Sequence, residues 1–167
     1  LNLYRTNPAA ALADAKLREN STTEKELTLE SGSSGHLKVI SNDDAIAFLA
    51  KQKPLAALKW NDALTKAAEF HNADIGPKGL MKHESSDGTA LLLDLKDVGG
   101  HRAGAENIDF GTYSGKRHVL RFVIDDGVPN RGHRTAIYSA SYTDVGIALG
   151  PHAEYGQMLT MDFGTNL

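Results

Sequence analysis

The 167-residue chain has no cysteine. That absence excludes a disulfide framework and thiolate metal sites, and it says little about compartment, because an exported chain can do without them. No apolar run approaches the roughly 18 residues of a membrane-spanning helix, so no membrane span is expected. Basic residues are not in excess: the formal net charge is -3, which argues against a nucleic-acid partner. The first residue is Leu1 and not methionine, so a processed or trimmed chain is expected, with any signal peptide already gone. No internal repeat and no local H-E-x-x-H signature are present.

What remains is ordinary for a globular domain: 41% hydrophobic residues, 23% charged residues and 16 glycines. A single domain over 1–167 is expected, burying roughly 70% of its unfolded surface. A polar, serine- and glycine-rich excursion occupies about 20–42, with strand-like pieces at 26–29 and 36–40. Pro8 is placed to open a helix running to about Arg18. Ser41 and Asp44 read as a capping box ahead of "DDAIAFLAKQK", which Pro54 would stop. In "LKWNDALTKAAEFHNADIG", residues Trp60, Leu64, Ala67, Ala68 and His71 predict one helical stripe, with Gly76 as the C-cap. "GKRHVLRFVIDDG" predicts a helix with Val119, Phe122 and Val123 inward, ended by Gly127. "DVGIALG" and "YGQMLTMDFG" predict strands that pair antiparallel across "PHAE". Helices first and a strand pair last predict an α+β fold, helices packed on a mostly antiparallel sheet.

Five of the seven histidines have plain readings. His36 and His118 read as solvated, His152 as a turn residue, His101 as part of a glycine-rich loop and His71 as a packing histidine. His83 and His133 differ, because each stands at a loop next to apolar anchors, where binding residues gather. Glu106 and the pair Asp125-Asp126 supply carboxylates. Imidazole with carboxylate admits a divalent-metal site or proton transfer near neutral pH, and spacing alone leaves both open. Ser85 and Ser86 lack an oriented base and an oxyanion turn, which weighs against a serine nucleophile.

Six segments in order resemble the CAP superfamily of cysteine-rich secretory, antigen 5 and pathogenesis-related 1 proteins, in its cysteine-free bacterial branch. These are "LNLYRTNP", "LKWNDALTKAAEFHNADIG", "GLMKHESSDG", "AGAENI", "VLRFVIDDGVPNRGHR" and "YGQMLTMDF". The resemblance implies a three-layer α-β-α sandwich, a secreted or extracytoplasmic location, and a cleft tetrad of His83, Glu106, Asp125 and His133. It implies that His83 and His133 bind a divalent ion, zinc foremost, while the two acids position them. Three residues depart from the family pattern: Ala105 replaces a glycine, Phe122 a tryptophan, and Asp125 an acid that is often glutamate. The shorter Asp125 leaves a water-mediated contact as one way to reach a histidine. Asp126 competes for its role, because on a continued helix it would share a face with Val119 and Phe122.

The expected function is a monomeric binding module whose cleft takes a small ligand, a lipid or a protein. The alternatives are a metal-assisted hydrolase with Glu106 as general base, and a metal-free lipid or sterol binder. Two histidines fall short of the three protein ligands usual for catalytic zinc, which favours binding.

Overall fold

The computed structural model describes residues 1–20, 42–89 and 101–166. The chain begins with α1 (Asn2–Thr6), α2 (Pro8–Asn20), α3 (Asp43–Leu49) and β1 (Lys59–Trp60). It continues with α4 (Asp62–Ile75), a 3-10 turn (Gly76–Lys78) and β2 (His101–Phe110), then α5 (Gly115–Ile124) and α6 (Gly132–Ile137). It ends with β3 (Asp144–His152) and β4 (Gly156–Asn166). The four strands form one sheet in the order β1-β3-β4-β2, parallel only between β1 and β3.

Strand periodicity sorts the layers. From β4, Leu159, Met161 and Phe163 join Tyr4, Ala11, Ala15, Val119, Phe122, Val123 and Ile137 in the main core, which lies under α1, α2, α5 and α6. The alternate residues turn to α4: Met158 packs with Ile75 and Ile108, and Thr160 Oγ1 donates to Asn72 Oδ1 at 2.6 Å. Helices therefore cover both faces of a mostly antiparallel sheet, the α-β-α arrangement. Phe163 is fully buried, and removing a ring of that size from water contributes about 2–3 kcal/mol. Gly146 on β3 lets α4 seat closely. A Cβ there would stand 2.1 Å from the Thr65 nitrogen and 2.2 Å from the Leu64 carbonyl carbon.

Several sequence expectations hold. Pro8 opens α2, β3 and β4 pair, and Val119, Phe122 and Val123 are buried. Others are corrected. Asn42 precedes α3 without a side-chain cap, and Asp44 accepts instead from Arg131 and Arg134. Trp60 lies in β1, outside the helical stripe, and is 58% exposed. Asn61 caps α4 by accepting from the Ala63 and Leu64 nitrogens. Gly76 is the C-cap of α4 as expected but is right-handed at φ -58, and the left-handed stop is Gly79 at φ 65. The last helical residue of α5 is Ile124, because Asp125 turns left-handed at φ 50 before Gly127 is reached. "AGAENIDF" is a strand whose polar residues hid it, and His101 is its first residue. Ser41, His36 and the pieces at 26–29 and 36–40 lie outside the described residues.

Candidate functional site

His83 follows the turn after α4, and two buried histidines hold that segment in place. His71 Nε2 lies 3.2 Å from the Lys82 carbonyl, and His152 Nε2 lies 3.2 Å from the Leu80 carbonyl. A carbonyl only accepts, so both rings carry their proton on Nε2. The backbone nitrogens of Glu154 and Tyr155 face His152 Nδ1 at 3.3 Å, which fits that tautomer. His152 is thus a buried strand-end residue with a structural task, and His71 is the packing histidine expected. Ser86 ties the far side of the loop to α4: its nitrogen and Oγ donate to Asp74 at 2.6 and 2.7 Å.

Against this pinned loop, His83 Nδ1 meets Glu106 Oε1 at 2.7 Å. The Glu106 side chain is 1% exposed and that of His83 is 57% exposed, so a buried anion holds a ring that reaches solvent. The bond to Glu106 raises the His83 pKa above its ordinary value, against the opposing effect of partial burial.

The second pair forms where α5 gives way to α6. His133 is a residue of α6, not the end of a loop as expected. Its Nδ1 meets Asp125 Oδ1 at 2.7 Å, while Asp125 Oδ2 accepts from the Arg134 nitrogen at 3.1 Å. The shorter acid therefore reaches its histidine directly. Extrapolating the helix favoured Asp126, but the helix stops one residue earlier, and the left-handed turn swings Asp125 inward. Asp126 lies 3.8 Å from Arg131 instead. Arg134 is a buried capping cation and not a surface one. It donates to the Val123 and Ile124 carbonyls at 2.6 and 2.5 Å and to Asp44 at 2.9 Å. Phe122, in the place of the family's tryptophan, lies 5.2 Å from the His133 ring, centroid to centroid.

Strand β2 joins the two pairs. Glu106 holds His83, and the next residue, Asn107, donates from Nδ2 to the His133 carbonyl at 3.1 Å. The register shift between Ala103 and Ala105 lies just before them, where a glycine is usual in the family. Among the described residues, no group of three or more His, Cys, Asp or Glu could hold a metal ion.

A third pair was missed. His118, expected in solvent, is 1% exposed, and its Nδ1 meets Asp109 Oδ2 at 2.8 Å. Arg121 also binds Asp109, at 2.9 and 3.1 Å. Burial works against the Asp109 charge, but the bonds from His118 and Arg121 prevail and hold its pKa low. The signal was available, since His118 stands four residues before inward Phe122 on the same helical stripe. With its ring enclosed, this pair braces α5 on β2. A histidine–carboxylate bond alone is therefore no mark of function here, and solvent access separates His83 and His133 from His118.

No curated protein sequence matches the chain. Among solved structures, an extracellular protein containing an SCP domain from Bacillus anthracis str. Ames is 24% identical with a TM-score of 0.52. The match covers 67% of this chain but only 35% of that one, so this chain spans about a third of its length. An outer surface protein of Borrelia burgdorferi is 17% identical with a TM-score of 0.53, over 68% of this chain and 80% of its own. Likeness at these identities concerns the fold. The model of the cysteine-rich secretory protein family, CAP, matches residues 1–163, nearly the whole sequence, and this cysteine-free chain belongs to that family.

Proposed function

We propose that this CAP domain is an extracytoplasmic binding protein in which His83 and His133 present their Nε2 atoms to an exchangeable divalent ion, zinc foremost. One observation carries the reading: both partly exposed histidines commit Nδ1 to a buried carboxylate at 2.7 Å. A carboxylate accepts only, so the ring proton sits on Nδ1 and the Nε2 lone pair is free to bind a metal. This is the arrangement by which outer carboxylates orient metal-bound imidazoles. Two imidazoles fit a weak, open ion and not a closed structural site, which needs four ligands. Such an ion supplies open coordination positions for an anionic group of a ligand or partner. The extracytoplasmic location rests on kinship with a secretory family and on the two similar proteins, one extracellular and one of the outer surface. No helix among the described residues is long and apolar enough to cross a membrane.

The hydrolase alternative is weaker, because Glu106 already spends Oε1 on His83 and is almost wholly buried. It is better placed to orient a ring than to take a proton from water. Differential scanning fluorimetry tests the binding proposal. Saturating zinc raises the melting temperature of the wild type, and His133→Ala removes the rise. An unchanged wild-type curve at saturating zinc refutes it.

A further inference from the structure

Beneath α4 lies a set of buried polar groups that the histidine pairs do not use. Asp162 on β4 is fully buried, and neither carboxyl oxygen has a hydrogen-bond partner among the described residues. Its register partner on β2 is Glu106, whose Oε2 is likewise without one. His71 Nε2 stands 3.9 Å from that same Oε2, and His71 Nδ1 and Asn72 Nδ2 complete the orphaned set.

Topology explains the enclosure. Asp162 pairs with Gly146 on its other side, and there the backbone of α4 lies close against the sheet. The titratable groups around it are Glu106, its partner on β2, His71 on α4, which stands against Glu106, and Asp144 on β3, two residues from Gly146 on the same face. Lys59, paired with Asp144 on β1, stands farther out along the sheet. Two neighbouring carboxylates buried away from bulk solvent cannot both stay ionised without a cation, and buried polar atoms without protein partners are met by a proton or a water.

We propose that Asp162 stays a protonated carboxylic acid in the folded protein at neutral pH and, through one internal water, hydrogen-bonds Glu106 Oε2, making it a positioning residue for the His83 pair. The division of labour follows from geometry. Glu106 gives Oε1 to the His83 imidazole, whereas Asp162 has no hydrogen-bond partner among the described residues and is the one left to keep its proton. Burial, reinforced by the nearby Glu106 charge, pushes the Asp162 carboxyl up to about 8, in agreement. The inference stands whether or not zinc binds, so its failure and that of the metal reading are distinguishable.

Infrared spectroscopy of the metal-free protein with carbon-13-labelled aspartate gives the direct test. The wild type at pH 7 shows a protonated-carboxyl stretch from one aspartate, and Asp162→Asn removes it. No such band in the wild type, or a band that survives in Asp162→Asn, overturns the proposal. Should Asp162→Asn fail to fold, the wild-type band titrating with pH carries the test unaided. Positioning is read separately from the His83 Nδ1 proton resonance. Asp162→Asn, which keeps a donor, preserves it, while Asp162→Val broadens or shifts it. Identical spectra from the two variants overturn the positioning role.

Discussion

Replacing Asp162 by asparagine should change how stability responds to pH in a direction opposite to most carboxylate substitutions. Burial pushes its folded pKa up to about 8, above the 3.8 of a free aspartate, so between those values the native state holds a proton that the unfolded chain has released. Stability from this group is therefore undiminished below about pH 4, falls as pH rises through the window, and is lowest above about 8. At pH 7 the group sits about three pH units above its unfolded value, and at roughly 1.4 kcal/mol per unit the penalty is about 4 kcal/mol. Asp162→Asn keeps the shape and a donor but has no such penalty. It should match the wild type near pH 4 and exceed it by up to about 4 kcal/mol at pH 7. Asp44 and Asp109 are held low by Arg134 and by His118 with Arg121, so their contribution is lost on acidification in both proteins and cancels in the difference. Urea unfolding of both proteins at pH 4, 5.5, 7 and 8 measures this. A pH-independent stability difference would refute the reasoning, since it would mean that Asp162 titrates alike folded and unfolded.

Three further outcomes follow from the packing. Gly146→Ala drives a methyl into the backbone of Leu64 and Thr65, which cannot yield as a side chain can, and should cost at least about 3 kcal/mol by chemical denaturation. Arg134→Met strips charged donors from the Val123 and Ile124 carbonyls and should cost about 3–5 kcal/mol, with loss of the His133 Nδ1 proton resonance as the turn loosens. The His83–Glu106 bond raises a histidine pKa, so its contribution is complete below about 6.5 and is lost as pH rises through the raised value. A His83→Ala variant should accordingly differ most from the wild type at mildly acidic pH, as read from paired melting curves.

The elements legible in the sequence were those whose burial follows one period. Val119, Phe122 and Val123 announce α5, and the alternation through Met158 to Phe163 announces β4. Strand β2 escaped because Ile108 stands among polar residues: Glu106, Asn107 and Asp109 are buried only through partners the fold brings up, His83, the His133 carbonyl and His118. His118 and His152 were misjudged for the same reason, since a buried imidazole is told from a solvated one by its partner, and Asp109 and the Leu80 carbonyl meet these rings only once the sheet has formed. The choice of Asp125 over Asp126 turned on one left-handed residue, which no helical extrapolation contains. The histidine–acid pairs were reached through family resemblance and not through spacing, because the positions span about fifty residues and meet only by way of β2.

On the proposed reading, two carboxylate-anchored imidazoles offer their outer nitrogens to one ion. Nitrogen-15 spectra of the histidine rings during a zinc titration test it most directly. The Nε2 resonances of His83 and His133 should move together and saturate at one equivalent, while those of His118 and His152 stay still. Movement of one ring without the other, or of neither, contradicts it.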